Sequence, residues 1–153
     1  MDLAEFLISL GARIEGAGTS TMTIHGVARL SPASRPHAIL PDRIESGTYL
    51  CAAAVAGGEV TVTNTRPADL VPVIQKLRDA GCEVETGDDW VRCRREGPLK
   101  PIHVDTQPHP GFPTDMQAQL MSVACFAEGT SVFKENIFEN RYMHAAELVR
   151  MGA

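Results

Sequence analysis

Several features that mark other classes of protein are missing from this sequence of 153 residues. It has no apolar run long enough to cross a bilayer, and its first residues lack the basic start and small-residue cleavage site of a signal peptide. The net charge is −5, and no basic stripe is available to neutralise phosphates. We therefore expect a cytoplasmic protein that contacts neither a membrane nor nucleic acid.

Paired cysteines are also missing. Cys51, Cys82, Cys93 and Cys125 are widely spaced and form no C-x-x-C pair. A zinc site would need ligands paired at short spacing, and a disulfide framework would need an oxidising compartment. Since Cys51 and Cys125 fall inside apolar helical stretches, we expect reduced cysteines in a core, with neither a metal nor another cofactor.

Helical and alternating patterns follow one another along the chain and predict an α/β (α+β) fold. Hydrophobic residues make up 44% of the sequence and charged residues 22%, an ordinary balance for a globular domain with a real core. Helices are predicted where apolar residues recur at helical spacing, and strands where they alternate. The predicted helices cover 3–10, 42–56, 70–80, 115–128 and 142–151, and the predicted strands cover 12–15, 21–25, 38–40, 59–63, 82–85, 90–93, 102–104 and 130–133.

The glycines that end predicted helices recur with a regular period. Gly11, Gly81 and Gly152 are spaced by 70 and 71 residues, and Gly58 and Gly129, which precede strands, are 71 apart. Each of the first three glycines is flanked by small or apolar residues that close a helix. The period predicts an internal duplication of an α/β unit with two helices and about four strands.

The two ends of the chain fall within this repeat. The sequence opens directly on a helix, and it stops after the third helix-ending glycine, where the earlier units continue into a hairpin. Terminal repeats normally carry a capping adaptation, and neither end has one. We therefore expect this sequence to be a segment of a longer chain.

The stretch Pro108–Gln119 has the most unusual composition. Three prolines and a glycine hold its first half in a rigid path that is not helical. Thr114 precedes Gln117 by three residues, the spacing of a capping box, just before an apolar run. Asp115 is thus predicted to lie in the first turn of a helix, where free N–H groups and the helix dipole favour a charged carboxylate.

Three stretches resemble the UDP-N-acetylglucosamine enolpyruvyl transferase family: Leu40–Glu45, Pro108–Gln119 and Phe138–His144. The resemblance implies two similar domains around a cleft, each an inside-out α/β barrel of repeated units. It also implies that residues 1–40 end one domain and that residues 41–153 begin the other. The second part would hold about two 71-residue repeats and the start of a third.

The resemblance implies transfer of the enolpyruvyl group of phosphoenolpyruvate to the 3-hydroxyl of UDP-N-acetylglucosamine, with release of phosphate. That reaction commits the sugar to peptidoglycan, and so to cell wall biogenesis, cell shape and cell division. The implied partners are these two substrates and the remainder of the chain. The family's reactive cysteine loop lies before this segment and its phosphate-binding arginines lie after it, so we expect no activity from this segment alone.

Two alternatives remain open. One is a module of the same fold that binds a nucleotide sugar or a partner without catalysis. The other is the related transferase that acts on shikimate 3-phosphate.

By resemblance, Asp115 contacts the sugar hydroxyl that reacts and has a role in removing its proton. The residues alone favour a charged acceptor that aims the hydroxyl, because a helix N-terminus stabilises the ionised carboxylate. The position of Ile137 binds the nucleotide sugar through its backbone in the family, and Phe138 is expected on the same wall.

Four further residues are candidates for the cleft. Arg141 matches an arginine near the family's cleft, where a guanidinium suits phosphate or carboxylate groups. Asp42, Arg43 and Glu45 match the start of a helix at the domain junction, where Asp42 is the candidate cap and Glu45 follows three residues later. For these three, a structural ion pair is at least as strongly favoured as contact with phosphoenolpyruvate.

Overall fold

The computed structural model describes residues 1–33 and 35–153 and divides into two compact units, Met1–Leu40 and Pro41–Ala153. None of the helices in the described residues has both the length and the apolar character required to cross a bilayer.

The first unit contains one helix and one hairpin. Helix α1 spans Asp2–Ser9, and strands β1 (Arg13–Glu15) and β2 (Thr23–His25) pair antiparallel, as the sequence predicts. The prediction of a strand at residues 38–40 is wrong, because this stretch has no strand structure and Ile39 is 82% exposed. Proline precedes and follows this short stretch, and a proline has no N–H with which to join a sheet.

The second unit contains two small sheets with helices packed on them. One sheet has the antiparallel order β3-β5-β4, and in the other β6 and β7 run parallel. Single 3₁₀ turns occur at Pro67–Asp69 and Thr114–Met116. The helices and strands are α2 (Arg43–Ala56), β3 (Gly58–Thr63), α3 (Val71–Asp79), β4 (Glu83–Thr86), β5 (Trp90–Arg95), β6 (His103–Asp105), α4 (Gln117–Ala124), β7 (Val132–Lys134) and α5 (Met143–Arg150).

The core of the second unit forms between these helices and sheets. Every helix except α5 and both sheets contribute fully buried side chains, so the elements around Asp115 rest on a common hydrophobic base. The largest of these buried side chains are Leu50, Leu70, Leu77, Leu99, Ile102, Met116 and Leu120.

Three helices end in the same way, which agrees with the repeat in the sequence. Gly11, Gly81 and Gly152 have φ angles of +94°, +95° and +101°. In each case the N–H of the residue after the glycine donates to the carbonyl five residues back, and the glycine N–H donates to the carbonyl three residues back. This is the Schellman arrangement, which satisfies carbonyls left free at a helix end. The three predicted helix ends therefore share one backbone conformation, and not only the same residue type.

The left-handed conformation at Gly81 predicts a cost for adding a side chain. Gly81→Ala is expected to lower the free energy of unfolding by about 1 kcal/mol, because a Cβ is strained at this φ. Gly97→Ala is the matched control, since a Cβ there meets nothing within 4 Å and the φ is not in the left-handed region. Urea denaturation of both variants is the measurement. Equal stability of the two variants would contradict the prediction.

Candidate active site

The proline-rich stretch forms a closed loop. Gly111 N–H donates to Pro108 O at 2.8 Å, and Gln107 N–H donates to Phe112 O at 3.0 Å. The ring of Phe112 is buried, so the loop is anchored at its end and not only closed by hydrogen bonds. The chain therefore enters the next turn from a fixed direction.

Asp115 lies on the 3₁₀ turn that follows this loop. The neighbouring Met116 is fully buried and packs against α2 at Gly47. A Cβ added at Gly47 would lie 2.8 Å from Met116 Cε, so a larger residue there would force the Met116 side chain to shift. Burial of one side chain thus fixes the turn while the adjacent carboxylate stays exposed.

The predicted capping box is wrong. Thr114 Oγ1 donates to Glu135 Oε2 at 2.9 Å, and Gln117 Nε2 donates to the same oxygen at 2.8 Å. Neither the 3₁₀ turn nor α4 has a side-chain cap. A carboxylate forms stronger hydrogen bonds than a neutral backbone partner does, so both side chains turn to Glu135 instead.

Asp115 lines an open cavity of about 500 Å³ within the second unit. Its Oδ1 is 2.5 Å from Arg141 Nη2, and the Arg141 guanidinium lies 5.2 Å from the centre of the Phe138 ring. The Asp115 and Arg141 side chains are 58% and 38% exposed. An ion pair this exposed contributes at most about 1 kcal/mol, so it can be exchanged for a ligand at little cost.

The structure places Ile137 and Phe138 in the bend after β7. Both backbone N–H groups donate to Glu135 Oε1, at 2.9 Å from Ile137 and 3.2 Å from Phe138. Phe138 lines the cavity and is 54% exposed, whereas Ile137 is half-buried and lies outside the lining. The bend, and not the Ile137 side chain, therefore faces the Asp115 cavity.

Asp42, Arg43 and Glu45 lie apart from this cavity, at the start of α2. The Asp42 carboxylate caps the helix, accepting from Ile44 N at 2.7 Å and from Glu45 N at 3.4 Å. Across residues 1–33 and 35–153, no ion pair includes any of the three. The ion-pair interpretation is therefore not supported, and Asp42 acts as a helix cap.

Sequence reasoning missed the roles of three residues around the cavity. Glu135 and His144 were not singled out as site residues, and Gln117 was expected only as part of a capping box. Gln117 Oε1 and His144 Nε2 are buried and have no hydrogen-bond partner in the described part of the chain, and both residues line the cavity. The only sequence signal for Glu135 was its position directly after a predicted strand. Unpaired buried polar atoms in a cavity wall are suited to bind a polar ligand.

The cysteines have no place in this cavity. Cys51, Cys82 and Cys93 are buried as predicted, but Cys125 is exposed at the end of α4, so its expected place in the core is wrong. Burial raises the pKa of Cys51 to about 12, which keeps its thiol neutral. Among the described residues, no group of three or more His, Cys, Asp or Glu side chains could hold a metal ion.

Comparison with known proteins identifies the family of this fold. The chain belongs to the EPSP synthase (3-phosphoshikimate 1-carboxyvinyltransferase) family, whose model matches residues 1–153. The crystal structure of the enolpyruvyl transferase NikO from Streptomyces tendae is similar, with a TM-score of 0.77 and 30% sequence identity. The match covers 97% of this chain and 35% of that chain.

Two curated relatives are more similar in sequence. The chain is 56% identical over 153 residues to the UDP-N-acetylglucosamine 1-carboxyvinyltransferase of Psychrobacter sp. (strain PRwf-1), covering 100% of this chain and 35% of the relative. It is 57% identical to the protein of the same name from Acidobacterium capsulatum, covering 99% of this chain and 35% of the relative. The chain thus spans about a third of the length of these relatives.

The hydrogen bonds to Glu135 predict its titration. Partial burial by itself raises the pKa of Glu135, but two backbone N–H groups and the hydroxyls of Thr106 and Thr114 donate to the charged form and hold the pKa below its ordinary value. The amide shifts of Ile137 and Phe138 should therefore titrate with a midpoint below about pH 4.3. The measurement is an NMR pH titration.

The sign of the stability effect follows from the lowered pKa. The stabilisation from ionised Glu135 is fully present above about pH 4.3 and is lost as the pH falls through the lower folded value. Glu135→Gln should abolish the titration of both amide shifts and leave other carboxylates unchanged. An amide midpoint at or above the ordinary glutamate value would contradict the assignment.

The cap at Asp42 gives a second prediction. Asp42→Ala should lower the free energy of unfolding by about 1 kcal/mol, because two N–H groups at the start of α2 lose their acceptor. Asp42→Asn keeps an acceptor oxygen and is the control, with little expected change. If chemical denaturation shows that the alanine variant is as stable as the asparagine variant, the capping role is wrong.

Proposed function

We propose that this chain forms one wall of the active site of a UDP-N-acetylglucosamine 1-carboxyvinyltransferase. The enzyme transfers the enolpyruvyl group of phosphoenolpyruvate to the sugar 3-hydroxyl in the cytoplasm, as the first committed step of peptidoglycan synthesis and thus of cell wall formation. Residues 1–40 would end one domain of that enzyme, and residues 41–153 would begin the other. The second domain would supply the wall that carries Asp115.

The observation that supports this function best is the position of Asp115. Its carboxylate is exposed at a concave surface and, among the residues that the structure describes, pairs only with Arg141, in a chain more than half identical to transferases of this name. A side chain that served only to start a helix would have no need of such a cavity. The buried Met116 beside it supports a fixed orientation of the carboxylate.

The proposed chemistry requires Asp115 to accept a hydrogen bond from the reacting hydroxyl. When the sugar oxygen adds to C2 of phosphoenolpyruvate, the hydroxyl proton passes to the carboxylate and C3 takes up a proton. Loss of a proton from C3 then restores the double bond as the bond from C2 to the phosphate oxygen breaks. Arg141 holds the Asp115 carboxylate in place before the sugar binds, and it can then turn to an anionic group of a substrate. Exclusion of water requires a second wall, which must come from outside this segment.

The substrate could instead be shikimate 3-phosphate, since the matching family model carries the name of that enzyme. The two curated relatives described above share more than half of their aligned residues with this chain, and both are named UDP-N-acetylglucosamine 1-carboxyvinyltransferase. Their names favour UDP-N-acetylglucosamine as the acceptor. Competition assays with the two acceptors on the full-length polypeptide that carries this segment would decide between them. A preference for shikimate 3-phosphate would overturn the proposal.

Asp115→Asn tests the catalytic role in the same full-length polypeptide. Phosphate release from phosphoenolpyruvate and UDP-N-acetylglucosamine should slow about 100-fold or more, because the amide cannot take the proton. Asp88→Asn makes the same chemical change in the exposed turn between β4 and β5 and should leave the rate unchanged. A normal rate for the Asp115 variant would exclude its role in proton removal.

Residues 1–153 alone should give no turnover, because one wall cannot position two substrates. Phosphate release by this segment, abolished by Asp115→Asn, would contradict that expectation. Titration calorimetry with UDP-N-acetylglucosamine examines the non-catalytic alternative. Binding by the full-length polypeptide without any phosphate release would favour a binding module over an enzyme.

A further inference from the structure

Glu135, directly after β7, accepts hydrogen bonds from five groups. Oε1 accepts from Thr106 Oγ1 at 2.8 Å, in addition to the two bonds from the N–H groups of Ile137 and Phe138. Oε2 accepts from Thr114 Oγ1 and Gln117 Nε2. One oxygen thus holds the bend after β7, and the other holds the turn that carries Asp115.

The two residues bound by Oε2 lie on either side of Asp115 in the chain. Thr114 comes immediately before it, and Gln117 follows two residues later, beyond the buried Met116. The Asp115 carboxylate itself points elsewhere, to Arg141. Glu135 therefore fixes the backbone on both sides of Asp115 without occupying the carboxylate that faces the cavity.

A second set of bonds closes the loop that carries Arg141. Glu135 N–H donates to Tyr142 Oη at 2.8 Å, and Tyr142 Oη donates to Phe133 O at 3.1 Å. These two hydrogen bonds join Tyr142, just before α5, to the end of β7. Residues 136–141 therefore form a loop whose two ends are hydrogen-bonded to each other. Glu135 therefore also limits where the Arg141 guanidinium can lie.

A carboxylate offers about four acceptor positions, and five donors fill them. Glu135 consequently has no free acceptor for a substrate proton, and it cannot act as the general base. Four of these donors, the Ile137 and Phe138 N–H groups and the Thr106 and Thr114 hydroxyls, hold the pKa of Glu135 below its ordinary value. Its contribution to the site is geometric.

We infer that Glu135 is the positioning residue of this site, which locks the Asp115 turn and the Ile137–Phe138 bend in one fixed arrangement for a polar ligand. As a statement about activity, the inference rests on the proposed transferase function. As a statement about the backbone, it rests only on the hydrogen bonds of Glu135.

Glu135→Gln tests the inference with almost no change of shape. An amide has only one acceptor oxygen, so at least two of the five donors lose their partner. In the full-length polypeptide we expect kcat/KM for enolpyruvyl transfer to fall about 100-fold, mostly through kcat, because displacement of a reacting group by about 1 Å has that effect. Hydrogen exchange of the Ile137 and Phe138 amides should accelerate about 10-fold or more.

Two controls separate positioning from a general loss of stability. Glu128→Gln makes the same chemical change at an exposed side chain and should leave both rates unchanged. Gly81→Ala is predicted to lower the stability of the same unit at a residue that does not line the cavity, and it should not change kcat or the exchange of the two amides. A loss of kcat in Gly81→Ala equal to that in Glu135→Gln would mean that stability, and not positioning, is responsible.

The outcomes distinguish this inference from the proposed function. If the wild-type polypeptide is active and Glu135→Gln keeps normal kcat/KM, the positioning role is wrong. If the wild-type polypeptide shows no transfer, the proposed function fails, and hydrogen exchange still decides the backbone role. Unchanged exchange at Ile137 and Phe138 would overturn that role, and accelerated exchange would support it.

Discussion

The site depends on a carboxylate that is exposed to solvent yet held on an immobile backbone. If Asp115 lay on an unanchored loop, ligand binding would have to order that loop, and the loss of conformational entropy would weaken binding. Two buried anchors remove that cost in advance, since Phe112 precedes the turn and Met116 lies within it. Met116 packs against α2 at Gly47, where the absence of a side chain leaves room for its thioether end. Burial of these two side chains thus fixes the backbone that presents Asp115 to the cavity.

Two carboxylates near the cavity have opposite roles because their environments differ. Glu135 is saturated by five donors, which stabilise its charge and leave it no capacity for a further partner. Within the described residues, the one partner of Asp115 is Arg141, and this exposed ion pair can be exchanged for a ligand at little cost. One carboxylate therefore organises the backbone, while the other remains available to a ligand. Both residues are carboxylates, so residue type does not distinguish these roles. The number of hydrogen-bond donors around each carboxylate distinguishes them.

The sequence predicted those features that depend on neighbouring residues. Each Schellman helix end is made by hydrogen bonds within six residues, so Gly11, Gly81 and Gly152 carry the whole signal. The cap at Asp42 is local for the same reason. The hairpins follow from alternation and turn residues over short distances. The strand predicted at residues 38–40 is wrong, because the flanking prolines at positions 36 and 41 have no N–H with which to join a sheet, and these residues form no strand.

The centre of the site could not be predicted in this way, because its contacts join distant parts of the chain. Glu135 meets its side-chain donors across sequence separations of 18, 21 and 29 residues. Thr114 and Gln117 carry a convincing local pattern for a capping box, but an ionised acceptor brought close by folding competes with the local backbone groups and wins. That competition depends on β7 lying parallel to β6, which places Glu135 beside Thr106 and opposite the turn. Local sequence patterns therefore predict where the Asp115 turn lies. The pairing of β6 with β7 determines that Glu135 is the hydrogen-bond partner of Thr114 and Gln117.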